Sequence, residues 1–123
     1  MILIDSNIFM YAAGAPHRRK IPSIAMLHSI ARLEISACVN AEILLEILHR
    51  YRAIGRLGEG KEVYKLIRKI VPVVEPISGE IVEKAARLMD EYPNLMARDC
   101  IHAAHCMFGG SRVLDGKKDI CCR

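Results

Sequence analysis

Short, mostly apolar runs alternate along the chain with longer segments whose apolar residues recur at helical spacing. Runs without polar interruption are typical of strands buried on both faces, as in parallel sheets. The pattern predicts four strands, at 1–4, 34–39, 71–75 and 112–114. Pro72 cannot donate a hydrogen bond to a neighbouring strand, so the third strand should begin after residue 72 or lie at an edge of the sheet.

The intervening segments predict helices. The clearest is 63–70, where Val63, Leu66, Ile67 and Ile70 stand at i, i+3, i+4 and i+7. Further helices are predicted at 6–11, from Pro22 past residue 31, at 41–54 after a cap at Asn40, at 78–91 with Ser78 as its cap, and at 97–108. The glycines at 55, 58 and 60 predict a turn before the helix at 63–70.

Strands that alternate with helices predict parallel βαβ units, and therefore the α/β class. We expect a three-layer α/β/α domain with a central, mostly parallel twisted sheet of four to five strands. A length of 123 residues favours one domain over 1–123.

Composition narrows the function classes. Hydrophobic residues make up 52%, which excludes an intrinsically disordered chain. No apolar stretch is long enough to span a membrane, and the N-terminus meets Asp5 without a basic region, so a cytoplasmic protein with no membrane partner is predicted. Eighteen Lys and Arg against 14 Asp and Glu give a net charge of +4, which permits a nucleic-acid partner without requiring one.

The positions of the acids are more informative than their number. Asp5 follows the first strand, Glu42 and Asp99 lie in first turns of helices, and Asp115 and Asp119 follow the fourth strand. Sites in open parallel sheets form at the carboxyl ends of the strands, where these acids should meet. Like charges so close need a counter-charge, and Mg²⁺ or Mn²⁺ accepts oxygen ligands. Such a cation activates water for attack on a phosphodiester.

Each acid also has a purely structural alternative. Asp5 could cap a helix, while Glu42 and Asp99 could simply favour helix N-termini through the macrodipole. Glu46 could replace Glu42, or could instead face solvent or pair with Arg50 one turn later. A zinc site at 100–106 is disfavoured because the Cys and His residues there lack a C-x2-C pair. The coincidence of several acids at one sheet edge favours the catalytic interpretation.

Three segments of the sequence resemble the motifs of PIN domains. Residues 1–12 resemble their opening strand and D-T/S-N turn, with Asp5 and Asn7 in the motif positions. Residues 35–43 resemble the second motif, with Glu42 as its acid. Residues 95–104 resemble the R/Y-D-a-x-H-x-A helix, with Asp99 and His102 in place. The order and spacing along nearly the whole chain resemble a VapC-type toxin of a type II toxin–antitoxin pair.

The resemblance implies a Mg²⁺- or Mn²⁺-dependent endoribonuclease that hydrolyses RNA phosphodiesters with metal-activated water. It implies Asp5 and Asp99 as direct metal ligands, Glu42 as a third acid of the metal site, and Asn7 as a supporting polar residue. It also implies a homodimer and a cognate antitoxin whose tail docks near the site. A PIN nuclease of RNA processing or quality control, a catalytically impaired RNA-binding or interaction domain, and a phosphatase-like domain are the alternatives.

The C-terminal residues depart from the family pattern S/T-x-D-x-x-F-D. Asp115 and Asp119 keep the spacing of its two acids, but Val113 replaces Ser/Thr and Lys118 replaces Phe. We therefore expect a shortened C-terminal end without the last strand, which leaves open which of these two acids is the fourth of the site.

The basic segment 17–20 lies between the first two predicted helices. Arg18, Arg19 and Lys20 are expected to contact RNA phosphates there, the alternative being a solvated loop. His102 lies either near the site or in a packing role.

Overall fold

The computed structural model describes residues 1–109, 112–114 and 119–121, and in that part of the chain five strands form one sheet in the order β3-β2-β1-β4-β5. The strands are β1 (Ile2–Ile4), β2 (Ala37–Asn40), β3 (Val74–Glu75), β4 (Arg112–Leu114) and β5 (Asp119–Cys121). β1 is parallel to both its neighbours, β2 and β4, and β2 is parallel to β3; β5 is antiparallel to β4. The carboxyl ends of β1 to β4 therefore lie along one edge.

Six helices occur within the same described ranges. They are α1 (Ser6–Ala13), α2 (Lys20–Ala31), α3 (Ala41–Ala53), α4 (Leu57–Ile70), α5 (Gly79–Glu91) and α6 (Ala97–Gly109). Side-chain oxygens cap three of them, since Asp5, Asn40 and Ser78 accept hydrogen bonds from backbone N–H groups in the first turns of α1, α3 and α5. None of these helices is long and apolar enough to cross a membrane.

Two hydrophobic cores hold the elements together. The larger one joins Leu3, Ile4 and Val39 of the sheet to side chains of α1, α2, α3 and α4, and receives Cys106 from α6. The smaller one lies between α5 and α6 and contains Ile81, Ala85, Leu88, Cys100 and Ala104. The predicted α/β class with a mostly parallel sheet is confirmed.

Several predicted boundaries are wrong. α4 begins at Leu57, so Gly58 and Gly60 lie in its first turns and not in a preceding turn. A Cβ atom at Gly60 would stand 2.5 Å from Cβ of Tyr51, so this glycine allows α4 to approach α3 closely. α2 begins at Lys20, which therefore belongs to the helix and not to the basic loop. β2 begins at Ala37, three residues later than predicted.

The C-terminal prediction also needs correction. The last strand is not missing, because β5 pairs with β4 in the register Val113↔Ile120 and Leu114↔Asp119. Asp119 therefore begins an edge strand, while Asp115 lies outside the described residues. The edge position predicted for the third strand is confirmed, since β3 ends the sheet on the other side.

Candidate functional site

Asp5 lies at the carboxyl end of the central strand β1 and is only 3% exposed. Its Oδ2 atom accepts a hydrogen bond of 3.4 Å from the backbone N–H of Asn7, and so caps α1. Asp5 therefore does cap a helix, which was the purely structural alternative for this acid. A single cap bond uses only one of its two oxygens, so it leaves the other oxygen free for a second role.

The second oxygen of Asp5 is buried without a hydrogen bond. Its Oδ1 atom stands 3.4 Å from Nε2 of His102, which is 2% exposed, and neither atom makes a hydrogen bond of good geometry with any described residue. An unpaired buried oxygen is costly, and such sites need an explanation such as a bound ion.

Asp5 is held in its charged form. Burial pushes the pKa of its carboxyl upward, but the nearby His102 ring, the Asn7 N–H and the positive charge of Arg98 together lower that pKa below its ordinary value. The carboxyl is therefore an anion at neutral pH.

Asn40 connects the end of β2 to α6. Its side chain is fully buried, and its Oδ1 accepts a 2.9 Å hydrogen bond from the N–H of Ile43. Its Nδ2 lies 3.3 Å from Nδ1 of His102 and 3.0 Å from Nδ1 of His105. Sequence reasoning predicted Asn40 only as a helix cap, because contacts across more than 60 residues leave no local signal.

His105 is buried beside this amide. Burial is the main cause that lowers the pKa of its ring, and the neighbouring His102 lowers it further, while Glu75 at the end of β3 opposes the shift. His105 is therefore a neutral ring at physiological pH. The Asn40 amide thus contacts the His105 ring as well as the His102 ring.

A half-buried ion pair flanks Asp5. Arg98 donates from Nη1 to Oε1 of Glu46 at 2.6 Å, with the two side chains 24% and 18% exposed. The predicted pairing of Glu46 with Arg50 is not found, because Arg50 instead donates to Oδ1 of Asn7 at 3.3 Å. Glu46 is thus engaged with Arg98, which argues against it as a replacement for Glu42.

Glu42 and Asp99 occupy the helix positions that the sequence predicted for them. Glu42 and Asp99 are partly buried in the first turns of α3 and α6. Among the described residues, however, no group of three or more His, Cys, Asp or Glu side chains is arranged to hold a metal ion. The ligand roles of Glu42, Asp99 and the C-terminal acids therefore stay predictions.

The basic segment between α1 and α2 is ordered by local contacts. The ring of His17 stacks on Tyr11 with 4.9 Å between centroids, and the Arg19 guanidinium lies 5.8 Å from the same tyrosine ring. The Lys20 ammonium donates to the carbonyl of Gly14. Arg18 is exposed.

An apolar groove lies between α1, α2 and α4. Its volume is about 160 Å³. The lining residues are Phe9, Ala12, Ala13, Leu27, Val63, Leu66, Ile67 and Ile70. Leu66 at its rim is 56% exposed, which is unusual for a leucine beside so many apolar neighbours.

The sequence of this chain is similar to those of a known protein family. Residues 2–119 match the PIN domain family. The chain is 39% identical over 104 residues to ribonuclease VapC13 of Mycobacterium tuberculosis, covering 85% of this chain and 79% of the relative. It is 31% identical over 110 residues to ribonuclease VapC23 of the same organism, covering 89% and 86%.

A solved structure shows the same fold. The crystal structure of M. tuberculosis VapC20, a toxin that cleaves the sarcin-ricin loop, superposes with a TM-score of 0.77 over 95% of this chain and 92% of that one, at 13% identity. The mostly parallel α/β sheet of this chain thus has the PIN-type fold. The chain belongs to the PIN domain family and, within it, to the VapC ribonucleases.

Proposed function

We propose that this protein is a divalent-metal-dependent endoribonuclease and the toxin of a toxin–antitoxin pair. The observation that carries the proposal is Asp5, a buried carboxylate with one unpaired oxygen at the end of the central strand of a VapC-family chain. The activity named for VapC13 and VapC23 supports RNA as the substrate.

The Asp5 site fits a hard cation. Mg²⁺ and Mn²⁺ take carboxylate oxygens as ligands, and Oδ1 of Asp5 is a carboxylate oxygen that makes no hydrogen bond of good geometry with the described residues. We propose Asp5 and Asp99 as direct ligands, Glu42 as a third acid of the site, and Asp115 or Asp119 as the fourth. When bound, the cation would supply the positive charge that activates water and stabilises negative charge on the phosphate.

The neighbouring side chains prepare Asp5 for this task. The Asn7 N–H fixes one carboxylate oxygen, and the charge of Arg98 helps to keep the group ionised. Glu46 in turn holds Arg98 in place. Contacts that fix the orientation and the charge of a ligating carboxyl reduce the reorganisation that binding requires.

The test is cleavage of a structured RNA by Asp5→Asn and Asp99→Asn with Mg²⁺ or Mn²⁺, and with a chelator. Each variant should lose activity by about 100-fold or more, because a metal ligand contributes several kcal/mol to the transition state, and the chelator should abolish cleavage by the wild type. Asp90→Asn is the matched control, since Asp90 is an exposed acid of α5.

Undiminished cleavage by both site variants would contradict the assignment. RNA binding without cleavage and without calorimetric Mn²⁺ binding would instead identify a catalytically impaired RNA-binding domain.

The partners of the proposed enzyme follow from its surfaces. Arg18 and Arg19 are proposed to contact RNA phosphates, which salt-dependent RNA binding would reveal. The apolar groove between α1, α2 and α4 is suited to an apolar antitoxin segment. A homodimer remains a prediction, to be checked by sedimentation.

A further inference from the structure

The orientation of the Asn40 amide is fixed by a backbone group. The N–H of Ile43 is always a donor, so the Asn40 atom that it meets at 2.9 Å must be the carbonyl oxygen. The other end of the side chain is then the NH2 group, which only donates. It faces Nδ1 of His102 and Nδ1 of His105 with one hydrogen for each.

This orientation determines the tautomers of both rings. A neutral imidazole carries its single proton on one nitrogen, and the nitrogen that accepts a hydrogen bond must lack it. A proton on Nδ1 of either ring would point at the amide hydrogens in a fully buried place. In their neutral forms, both His102 and His105 therefore carry their proton on Nε2.

The tautomer of His102 decides which edge of its ring faces Asp5. Nε2 of His102 is the atom that stands 3.4 Å from Oδ1 of Asp5. In this tautomer a positive N–H edge faces the carboxylate, whereas in the other tautomer a lone pair would face the same anion and repel it.

We propose that Asn40 and His102 are positioning residues for Asp5: Asn40 fixes the Nε2–H tautomer of His102, and His102 directs that N–H at the metal-binding carboxylate. The role in metal binding rests on the proposed function, whereas the tautomer assignment does not. His105 takes the second amide hydrogen, so that the buried Asn40 leaves no donor unsatisfied.

The tautomers can be read directly in the full-length protein. Long-range 1H–15N correlation spectra of histidine-labelled, metal-free protein distinguish protonated from unprotonated ring nitrogens. We expect His102 and His105 to show the pure Nε2–H pattern. A proton on Nδ1 of His102 in the neutral ring would overturn the proposal, whatever the enzymatic activity proves to be.

The variant Asn40→Asp tests whether the Asn40 amide sets the tautomers of His102 and His105. The carboxylate still accepts from the N–H of Ile43 and still caps α3, but it offers the two rings an acceptor instead of two donors. We expect protons to appear on Nδ1 of His102 and His105. If both nitrogens stay unprotonated in the folded variant, Asn40 does not set the tautomer and the proposal fails.

The effect on Asp5 is measured by Mn²⁺ titration of His102→Ala, His102→Gln and the exposed control His49→Ala. Loss of a positioning contact typically costs 10- to 100-fold in metal affinity, so His102→Ala should bind about 10-fold more weakly or worse. His102→Gln should recover most of the affinity, because its amide nitrogen reaches the place of Nε2, and His49→Ala should match the wild type.

If His102→Ala binds Mn²⁺ as tightly as the wild type while Asp5→Asn binds it more weakly, the positioning role of His102 is refuted and the metal site is not. Equal affinity in Asp5→Asn as well would refute the metal site itself and thus the proposed function.

Discussion

Asn40 illustrates how much a single buried side chain can specify. The cap of α3 by itself could be made by Ser, Thr or Asp, all of which accept from a backbone N–H. Only an amide also supplies the two donors that meet His102 and His105. The residue type is therefore explained by the contacts to α6 and not by the helix that it begins.

Cys38 in β2 shows the opposite case, a reactive group made inert by its surroundings. Burial, reinforced by the charge of Glu75, raises the pKa of its thiol to about 11 from 9.0. We expect no alkylation of Cys38 by iodoacetamide at pH 8 in the native protein and rapid alkylation in urea, as mass spectrometry of the Cys38 peptide would show. Fast labelling of the native chain would contradict the burial of this strand.

The same shift predicts alkaline instability. In the unfolded chain the Cys38 thiol ionises near its ordinary pKa, while the folded chain retains the proton, so the free energy of unfolding should fall as pH rises from 9 to 11. The fall should exceed that of Cys38→Ala by about 2 kcal/mol. This comparison removes the contributions of lysine and tyrosine, which titrate in the same range.

At the scale of elements, two glycines of α4 give a matched test of helix packing. A Cβ at Gly60 would overlap Tyr51 of α3, whereas one at Gly58 meets no atom within 4 Å. Gly60→Ala should destabilise by about 1–3 kcal/mol through overpacking. Gly58→Ala should be neutral or stabilising by up to about 1 kcal/mol through helix propensity. Urea unfolding would measure both, and equal effects would refute the close approach of α3 and α4.

The elements that were predicted correctly are those with local signals. The Ser78 cap, the edge position of β3 after Pro72 and the periodicity of α6 all follow from residues within one or two turns. The start of α4 was missed because glycines usually indicate a turn, and Gly60 is explained only by a residue of another helix. β5 was missed because its three residues carry no pattern of their own and become a strand by pairing with β4.

The residues of the candidate site also differ in whether a local sequence signal predicts them. The position of Asp5 at the end of β1 could be predicted because the end of a buried strand is visible in the sequence. The ion pair of Glu46 with Arg98 and the contacts of Asn40 with α6 span more than 50 residues, so they depend on how the elements pack. The sequence offered only the nearby Arg50 as an ion-pair partner for Glu46, and the structure assigns Arg50 to Asn7.

For the whole molecule, α1 connects the two proposed functional surfaces. Its first turn is capped by Asp5, and its residues Phe9, Ala12 and Ala13 line the apolar groove. A partner in the groove therefore contacts the helix that begins at the candidate metal ligand. This continuity gives a physical route by which an antitoxin bound outside the site could oppose cleavage.

The groove can be tested with a pair of exposed leucines. Leu66 is 56% exposed at the groove, and Leu45 on α3 is 61% exposed but does not line it. Leu66→Glu should weaken binding of the cognate antitoxin, sought as the product of the neighbouring gene, by about 10-fold or more, because a buried unpaired charge is costly. Leu45→Glu should bind as the wild type does in calorimetry, and both variants should cleave RNA normally. If the two variants bound the antitoxin equally well, its docking place would lie elsewhere on the molecule.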